Sequence, residues 1–373
     1  MKTVCKENSC VGCMACLEVC PKTAIKISDT IKEYNAVIDE SVCVECGACH
    51  SICQNNRNVE LANPISWSQG WSDDKRINSS SGGVAAALIS TFIEQGGVVC
   101  SCAFISGKFG FYFAPDEICA AQYVGSKYVK SNPAGIYKRI AKFLVKGKKV
   151  LFLGLPCQVA AVKGFIGKRY QETLYTVDLI CHGSPSPIIL ERFFAQYNTS
   201  IKEINFISFR CKSSFGIKGD GRSYVHCGIP DAYTAAFLNG VDYTENCYNC
   251  KYATVQRVGD VTLGDSWGSA LPAAERGKGV SLILCQNEKG KELLKSSCLY
   301  LMDVNIQNSI VNNHQLHHPT VRPPQREKFF TLLSKNIPLN RILVLCYPKD
   351  YIKGFIKIFL TKIGLRKWEE EDS

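Results

Sequence analysis

The chain has 373 residues, 46% apolar and 21% charged, with a formal net charge of +11. That describes a soluble globular protein with room for two or three domains. No apolar run approaches the roughly 18 residues of a membrane span, and Lys2 and Lys6 precede no apolar segment, so neither a spanning helix nor a signal peptide is expected.

Two copies of one cysteine pattern open the chain: Cys10-x-x-Cys13-x-x-Cys16-x-x-x-Cys20-Pro21 and Cys43-x-x-Cys46-x-x-Cys49-x-x-x-Cys53. This is the bacterial ferredoxin spacing, in which the fourth cysteine of each run serves the other cluster. Cys10, Cys13, Cys16 and Cys53 are therefore expected to hold one [4Fe–4S] cluster, and Cys43, Cys46, Cys49 and Cys20 a second. Gly12 and Gly47 ease the turns between ligands. Paired cysteines also suit zinc or disulfides, but eight in this repeat do not. The second copy departs from the first by placing Gln54 where Pro21 has its counterpart. Twenty-one cysteines without a secretion signal read as thiols and metal ligands in a reducing, cytoplasmic setting.

Residues 1–60 carry six Lys/Arg against eight Asp/Glu, a net of −2, which leaves +13 on the remainder. Each oxidised cluster with four thiolates adds about −2, so the module would sit near −6 (approximately) on a basic body. Such polarity favours docking of the module, or of an acidic ligand, against the body. Nucleic-acid binding is not expected, because no recognition motif or basic block accompanies the charge.

Residues 61–78 read as a linker that packs Trp67 and Trp71 on a neighbour. Ser79-Ser80-Ser81-Gly82-Gly83 then opens the apolar run Val84 to Ile89. These are the ingredients of an anion site at a helix N-terminus, and equally of a serine-capped buried helix. Strands are expected over 97–106, 149–155, 174–180, 204–211, 261–263 and 281–286, and helices over 133–146, 158–164 and 186–197. This alternation predicts an α/β layer with a largely parallel sheet, whose ligands sit at the carboxyl ends of the strands. Three such ends carry chemistry: Gly154-Leu155-Pro156-Cys157-Gln158, Cys181-His182-Gly183-Ser184-Pro185 and Gly264-Asp265-Ser266-Trp267-Gly268. Singly they are strand terminators and small buried thiols. Together they read as one composite site.

Cys247-Tyr248-Asn249-Cys250 lacks the second C-x-x-C of a zinc ribbon. Cys157 and Cys181 are candidates to complete a third [4Fe–4S] set with it, and Cys211 is a substitute. Cys5, Cys100, Cys102, Cys119, Cys227, Cys285, Cys298 and Cys346 are expected in core or surface positions. His314, His317 and His318 read as solvated rather than metal-bound. Residues 341–367 carry seven basic residues and one acid, around a stripe of Ile352, Phe355, Ile356, Phe359 and Ile363. A terminal helix docked on its own body is favoured, with weak contact to an anionic membrane surface as the alternative.

The ordered motifs resemble the coenzyme F420 hydrogenase/dehydrogenase beta-subunit family, in a form with a fused ferredoxin. They are Ser-Ser-Gly-Gly-Val, Gly125-Ser126-Lys127-Tyr128-Val129-x-Ser131, Leu-Pro-Cys-Gln, Cys-His-Gly-x-Pro-Ser, Phe-Arg-x-Lys, Cys-x-x-Cys and Gly-Asp-x-x-Leu-Gly-Asp. The resemblance runs from residue 1 to about 330. It implies FAD near Ser80, Ser81, Gly82, Gly83, Ser126, Lys127, Gly154, Pro156 and Gln158, and a body cluster on Cys157, Cys181, Cys247 and Cys250. It also suggests Lys127 and His182 as catalytic candidates, for flavin charge and for a proton.

The expected architecture is an α+β ferredoxin module with two [4Fe–4S] clusters (1–60), the linker (61–78), a mixed α/β flavin-binding body (79–335) and a basic amphipathic tail (336–373). The expected function is an iron–sulfur flavoprotein oxidoreductase passing electrons between clusters and FAD. Its partner would be a redox protein or a small hydride donor or acceptor, F420-like or other. The rival is a non-catalytic electron-transfer subunit serving a separate catalytic polypeptide, in polysaccharide biosynthesis for example. Oligomeric state is left open.

Overall fold

The computed structural model describes residues 2–225, 230–349, 351, 352, 356 and 359. Cys227 and most of the basic stripe beyond residue 349 lie outside the described residues. The strands are β1 (Ile25–Asp29), β2 (Tyr34–Ile38), β3 (Ser66–Trp71), β4 (Val98–Ile105), β5 (Lys108–Ala114), β6 (Val150–Gly154) and β7 (Leu174–Leu179). They continue as β8 (Ile207–Cys211), β9 (Ser214–Gly219), β10 (Arg222–Ser223), β11 (Val261–Asp265), β12 (Ser281–Cys285) and β13 (Tyr300–Asp303).

In the module, β1 and β2 pair antiparallel, and two one-turn helices, Ala15–Val19 and Ala48–Ile52, follow the cysteine loops. Gly12 and Gly47 adopt φ of 71° and 72°, the left-handed turn expected of them. The module's own core is small: Val4, Cys5, Cys10, Met14, Cys16, Ile25, Tyr34 and Ala36.

The body is an eight-stranded sheet in the order β13-β3-β12-β11-β7-β6-β4-β5. Only its centre is parallel: β11 with β7, β7 with β6, and β6 with β4. The remaining pairs are antiparallel, so the sheet is mixed rather than largely parallel. The Ser106-Gly107 turn shows one reason. Two residues, both at positive φ, can join β4 to β5 only as a hairpin.

Two further expectations are corrected. The presumed linker supplies β3, which fills the sheet between β12 and β13 and stacks Trp71 on Tyr300 at 4.7 Å. Its Ser-Trp-Ser-Gln-Gly-Trp sequence has little intrinsic strand preference, and pairing with two neighbours overrides that. The strand expected over 204–211 forms β8, but in a separate sheet ordered β10-β9-β8.

The inner strands are almost continuously apolar, as strands covered on both faces must be. Val99, Leu151, Leu153, Val177, Val261 and Leu263 face the helix Val84–Glu94. Val150, Phe152 and Leu174 face helices Tyr137–Val145 and Pro156–Ile166. Cys13 and Ala15 of the module belong to that second layer. The helix Leu339–Cys346 docks on the body through Leu339, Ile342, Leu343 and Cys346.

Polar ties hold the module on this face. Glu18 accepts from the backbone N–H groups of Gly135 (2.6 Å), Tyr137 (3.3 Å) and Lys138 (3.0 Å), capping helix Tyr137–Val145 from another element. Arg57 donates to the Ala160 carbonyl at 3.1 Å, Ser186 to Asp29 at 2.6 Å, and Lys130 lies over the Tyr34 ring at 5.0 Å.

Candidate functional site

The two cysteine copies, equivalent in sequence, are unequal in space. Cys10, Cys13 and Cys16 are buried, whereas Cys20, Cys43 and Cys49 are half-buried and Cys46 is exposed. Burial raises the Cys16 thiol, with Cys13, Cys53 and Cys49 adding to it. The Cys13 thiol is likewise raised by burial, with Cys53 contributing. Cys49 is raised by burial and then by Cys20 and Cys43. Cys20, Cys43, Cys46 and Cys49 together line a cavity of about 190 Å³. Cys53 acts on the thiols of the first copy, and Cys20 shares the cavity of the second. Cys5, expected as filler, lies against Cys10 and Cys53, and its thiol accepts from Asn55 at 3.7 Å. No spacing rule pointed to it.

The three strand-end motifs meet on one rim, because β6, β7 and β11 are adjacent and parallel. Cys157 enters from the first turn of helix Pro156–Ile166, and Cys181 from just beyond β7. Cys247 and Cys250 come from the short 3₁₀ turn Glu245–Asn249 and its end. Burial pushes Cys157 well up, and Cys250, Cys181 and Cys247 raise it further. Cys181 is pushed to about 12 by burial, then by Cys247 and Cys250. Burial and the neighbouring thiols thus oppose ionisation at Cys157, Cys181 and Cys250, so that an added positive charge would complement this set. Cys211 is exposed on β8 and stands apart. Every described cysteine is a free thiol, and among the described residues no three His, Cys, Asp or Glu side chains converge on a single metal ion.

Two buried arginines frame the rim, and neither was singled out from sequence. Arg257 meets Asp178 at 2.6 Å and donates to the Tyr252 carbonyl at 2.8 Å, tying the segment after Cys250 to β7. Arg210 forms a two-pronged pair with Asp265 at 2.7 and 3.0 Å and donates to the Ser80 carbonyl at 2.8 Å.

The residues proposed for a flavin are largely engaged by the protein itself. Lys127 donates to the carbonyls of Tyr123, Val124 and Gly125, which uses all three ammonium hydrogens, and burial pushes it down to about 8. Gln158 accepts from Leu155 N–H at 2.8 Å and donates to Ser131 at 2.9 Å. The Ser80 hydroxyl accepts from Ser126 N–H at 3.0 Å, and Gly82 N–H donates to Ser281. A Cβ on Gly82 would strike the Gly70 carbonyl, so this glycine serves chain packing. Gly154 and Pro156 form the strand-to-helix turn. A cavity of about 500 Å³ lies between Trp71, Arg76, Lys212 and Tyr300, and none of the nine lines it.

His182 follows Cys181, and its Nδ1 lies 2.6 Å from Gln315 Nε2, which also meets His314 at 2.8 Å. Burial holds His182 down to about 4, with His314 adding to the effect.

Residues 9–56 match the 4Fe-4S dicluster domain. Residues 147–300 match the family described as the C terminus of the coenzyme F420 hydrogenase/dehydrogenase beta subunit. The chain thus carries a region similar to the C terminus of this beta subunit, with a dicluster ferredoxin domain ahead of it. The beta-subunit match spans β6, β7, β11 and β12 and includes all four rim cysteines. No curated protein matches the sequence. Among solved structures, a chain of the F420-reducing [NiFe] hydrogenase complex from Methanosarcina barkeri is similar at 18% identity and a TM-score of 0.46. That alignment covers 72% of this protein and 99% of the other. Among the described residues no helix is long and apolar enough to cross a membrane.

Proposed function

We propose that this chain is an iron–sulfur oxidoreductase polypeptide that conducts electrons between an exposed face of its ferredoxin module and the rim of the body sheet. The placing of Cys157, Cys181, Cys247 and Cys250 on one rim, within the stretch that matches the beta-subunit family and packed beside Cys13 of the module, carries this reading. Cys10, Cys13, Cys16 and Cys53 would hold one [4Fe–4S] cluster, Cys20, Cys43, Cys46 and Cys49 a second, and the four rim thiols a third. Such clusters take up and release one electron at a time. The protein's part is to hold the thiols and to exclude water. Val4, Met14 and Ile25 enclose the first set, and Tyr137 and Tyr252 close the space between it and the rim. Exposed Cys46 and the neighbouring Val44 mark the face that an external redox protein would meet.

Hydride exchange on FAD with an F420-like or other organic partner is the finer form of this reading. It is supported by the family match and by the rim's place at the carboxyl ends of parallel strands. Flavin analysis decides it, and a flavin-free chain is confined to electron transfer. The main reading is tested by anaerobic iron and sulfide analysis, with about twelve irons expected from three clusters. Replacing Cys247 and Cys250 with Ser removes about four of them. An unchanged count overturns the assignment of the rim thiols.

A further inference from the structure

The first cysteine copy ends in Cys20-Pro21 and the second in Cys53-Gln54. Proline offers neither an N–H nor a polar side chain. Gln54 offers both an amide and an acceptor, is 1% exposed, and has every polar group of its side chain engaged. Its Nε2 donates to the backbone carbonyl of Cys157 at 2.7 Å. Its Oε1 accepts from the Tyr252 hydroxyl, and its backbone carbonyl accepts from the Lys251 ammonium. The Tyr252 ring lies within reach of Cys157, Cys250 and Cys13, and Tyr137 donates to the Cys13 carbonyl from another side. A single buried amide thus joins the residue after Cys53 of the module directly to Cys157 of the rim.

We infer that Gln54 is the junction through which electrons cross between module and body. It is a positioning residue that holds Cys53, its chain neighbour, to Cys157 and supplies the hydrogen-bonded path between them. This rests on the reading that the rim thiols hold a cluster. With clusters held on Cys10, Cys13, Cys16 and Cys53 and on Cys157, Cys181, Cys247 and Cys250, each crossing would oxidise the first by one electron and reduce the second by one. No covalent bond changes and no proton moves. The second half of the duplication has exchanged the ring that merely stops a helix for a side chain that makes an interface.

The test uses the anaerobically purified full chain mixed with sub-stoichiometric reduced methyl viologen and followed by rapid freeze-quench EPR. The Cys247→Ser/Cys250→Ser chain identifies which signal belongs to the rim. Gln54→Leu keeps the bulk and removes the hydrogen bonds. Tyr252→Phe removes only the hydroxyl that aims the amide. With about twelve irons retained, Gln54→Leu should delay the rim signal by about 10- to 100-fold, the usual effect of losing an outer-shell partner. Fully reduced EPR spectra should stay unchanged, which a merely structural loss would not allow. Parent-rate transfer in Gln54→Leu with full iron overturns the junction. If Gln54→Leu loses iron, Tyr252→Phe decides: slower transfer supports the junction and an unchanged rate overturns it. A parent chain with only about eight irons overturns the rim-cluster reading and the junction with it, and that outcome is read before any variant is made.

Discussion

Replacing Arg257 with Met should detach the rim before it unfolds the protein. Arg257 is 2% exposed, and its Nη2 and Nε reach Asp178 Oδ1 at 2.6 and 3.2 Å. It also donates to the carbonyls of Tyr252 at 2.8 Å, Leu179 at 3.2 Å and Thr254 at 3.3 Å. Asp178 is fully buried, and without Arg257 its Oδ1 loses both of these donors, while Oδ2 keeps only Gly259 N–H at 2.7 Å. Removing one partner of a buried pair strands the other charge, at a cost of about 3–5 kcal/mol. The orphaned carbonyls overlap with that cost and do not add to it in full.

The assay is anaerobic urea titration, followed by circular dichroism and by cluster absorption. The expected result is an early loss of about four irons, those of the rim, ahead of a global transition that is itself weakened. Asp178→Leu combined with Arg257→Met should recover most of the stability, because a buried ion pair is seldom better than well-packed apolar residues. It should not recover the rim iron, because β7 and the segment after Cys250 remain untied. An Arg257→Met chain within about 1 kcal/mol of the parent, with its iron complete, would refute the reasoning.

Two further substitutions probe the frame around this site. Asp242 is fully buried, both of its oxygens lack a hydrogen-bond partner among the described residues, and burial pushes its carboxyl up to about 8, partly offset by the charge of Arg326. Below about 3.8 it is protonated in folded and unfolded chains alike; as pH rises towards 8 the unfolded chain ionises first and stability falls. Keeping the carboxyl neutral then costs about 4 kcal/mol at pH 7, so Asp242→Asn should melt higher than the parent at pH 7 and the gap should shrink towards pH 5. A parent melting temperature that is flat from pH 5 to 8 contradicts this. Glu18→Ala removes the cap that the module places on helix Tyr137–Val145, a loss of about 1–2 kcal/mol. Amide exchange at Gly135, Tyr137 and Lys138 should quicken while the iron content holds, and unchanged exchange would show that the docking rests on other contacts.

How far the sequence could be read depended on the range of the interaction. β6 and β7 were legible because a strand covered on both faces must be apolar along its length. β3 was not, because its Ser, Gln and Gly become a strand only by filling a gap between β12 and β13, which lie more than 200 residues away in the chain. The gathering of three strand ends into one rim was legible, since parallel neighbours present the same end. Lys127 was not: a lysine in a glycine–serine loop invites a ligand, yet here it closes the loop on its own carbonyls. Nor was the role of Arg257, which has no motif and is defined only by the elements that it spans.

The cysteine repeat by itself predicts which thiols share a cluster across the module, because a tight loop and one helical turn set the spacing within a dozen residues. It could not determine which copy is the inner one. The repeat is symmetric, and a body that packs against one side only breaks that symmetry. Burial of Cys13, exposure of Cys46 and the employment of Gln54 all follow from that single asymmetric contact. What read as a lapse in the second copy is the residue on which module and body meet.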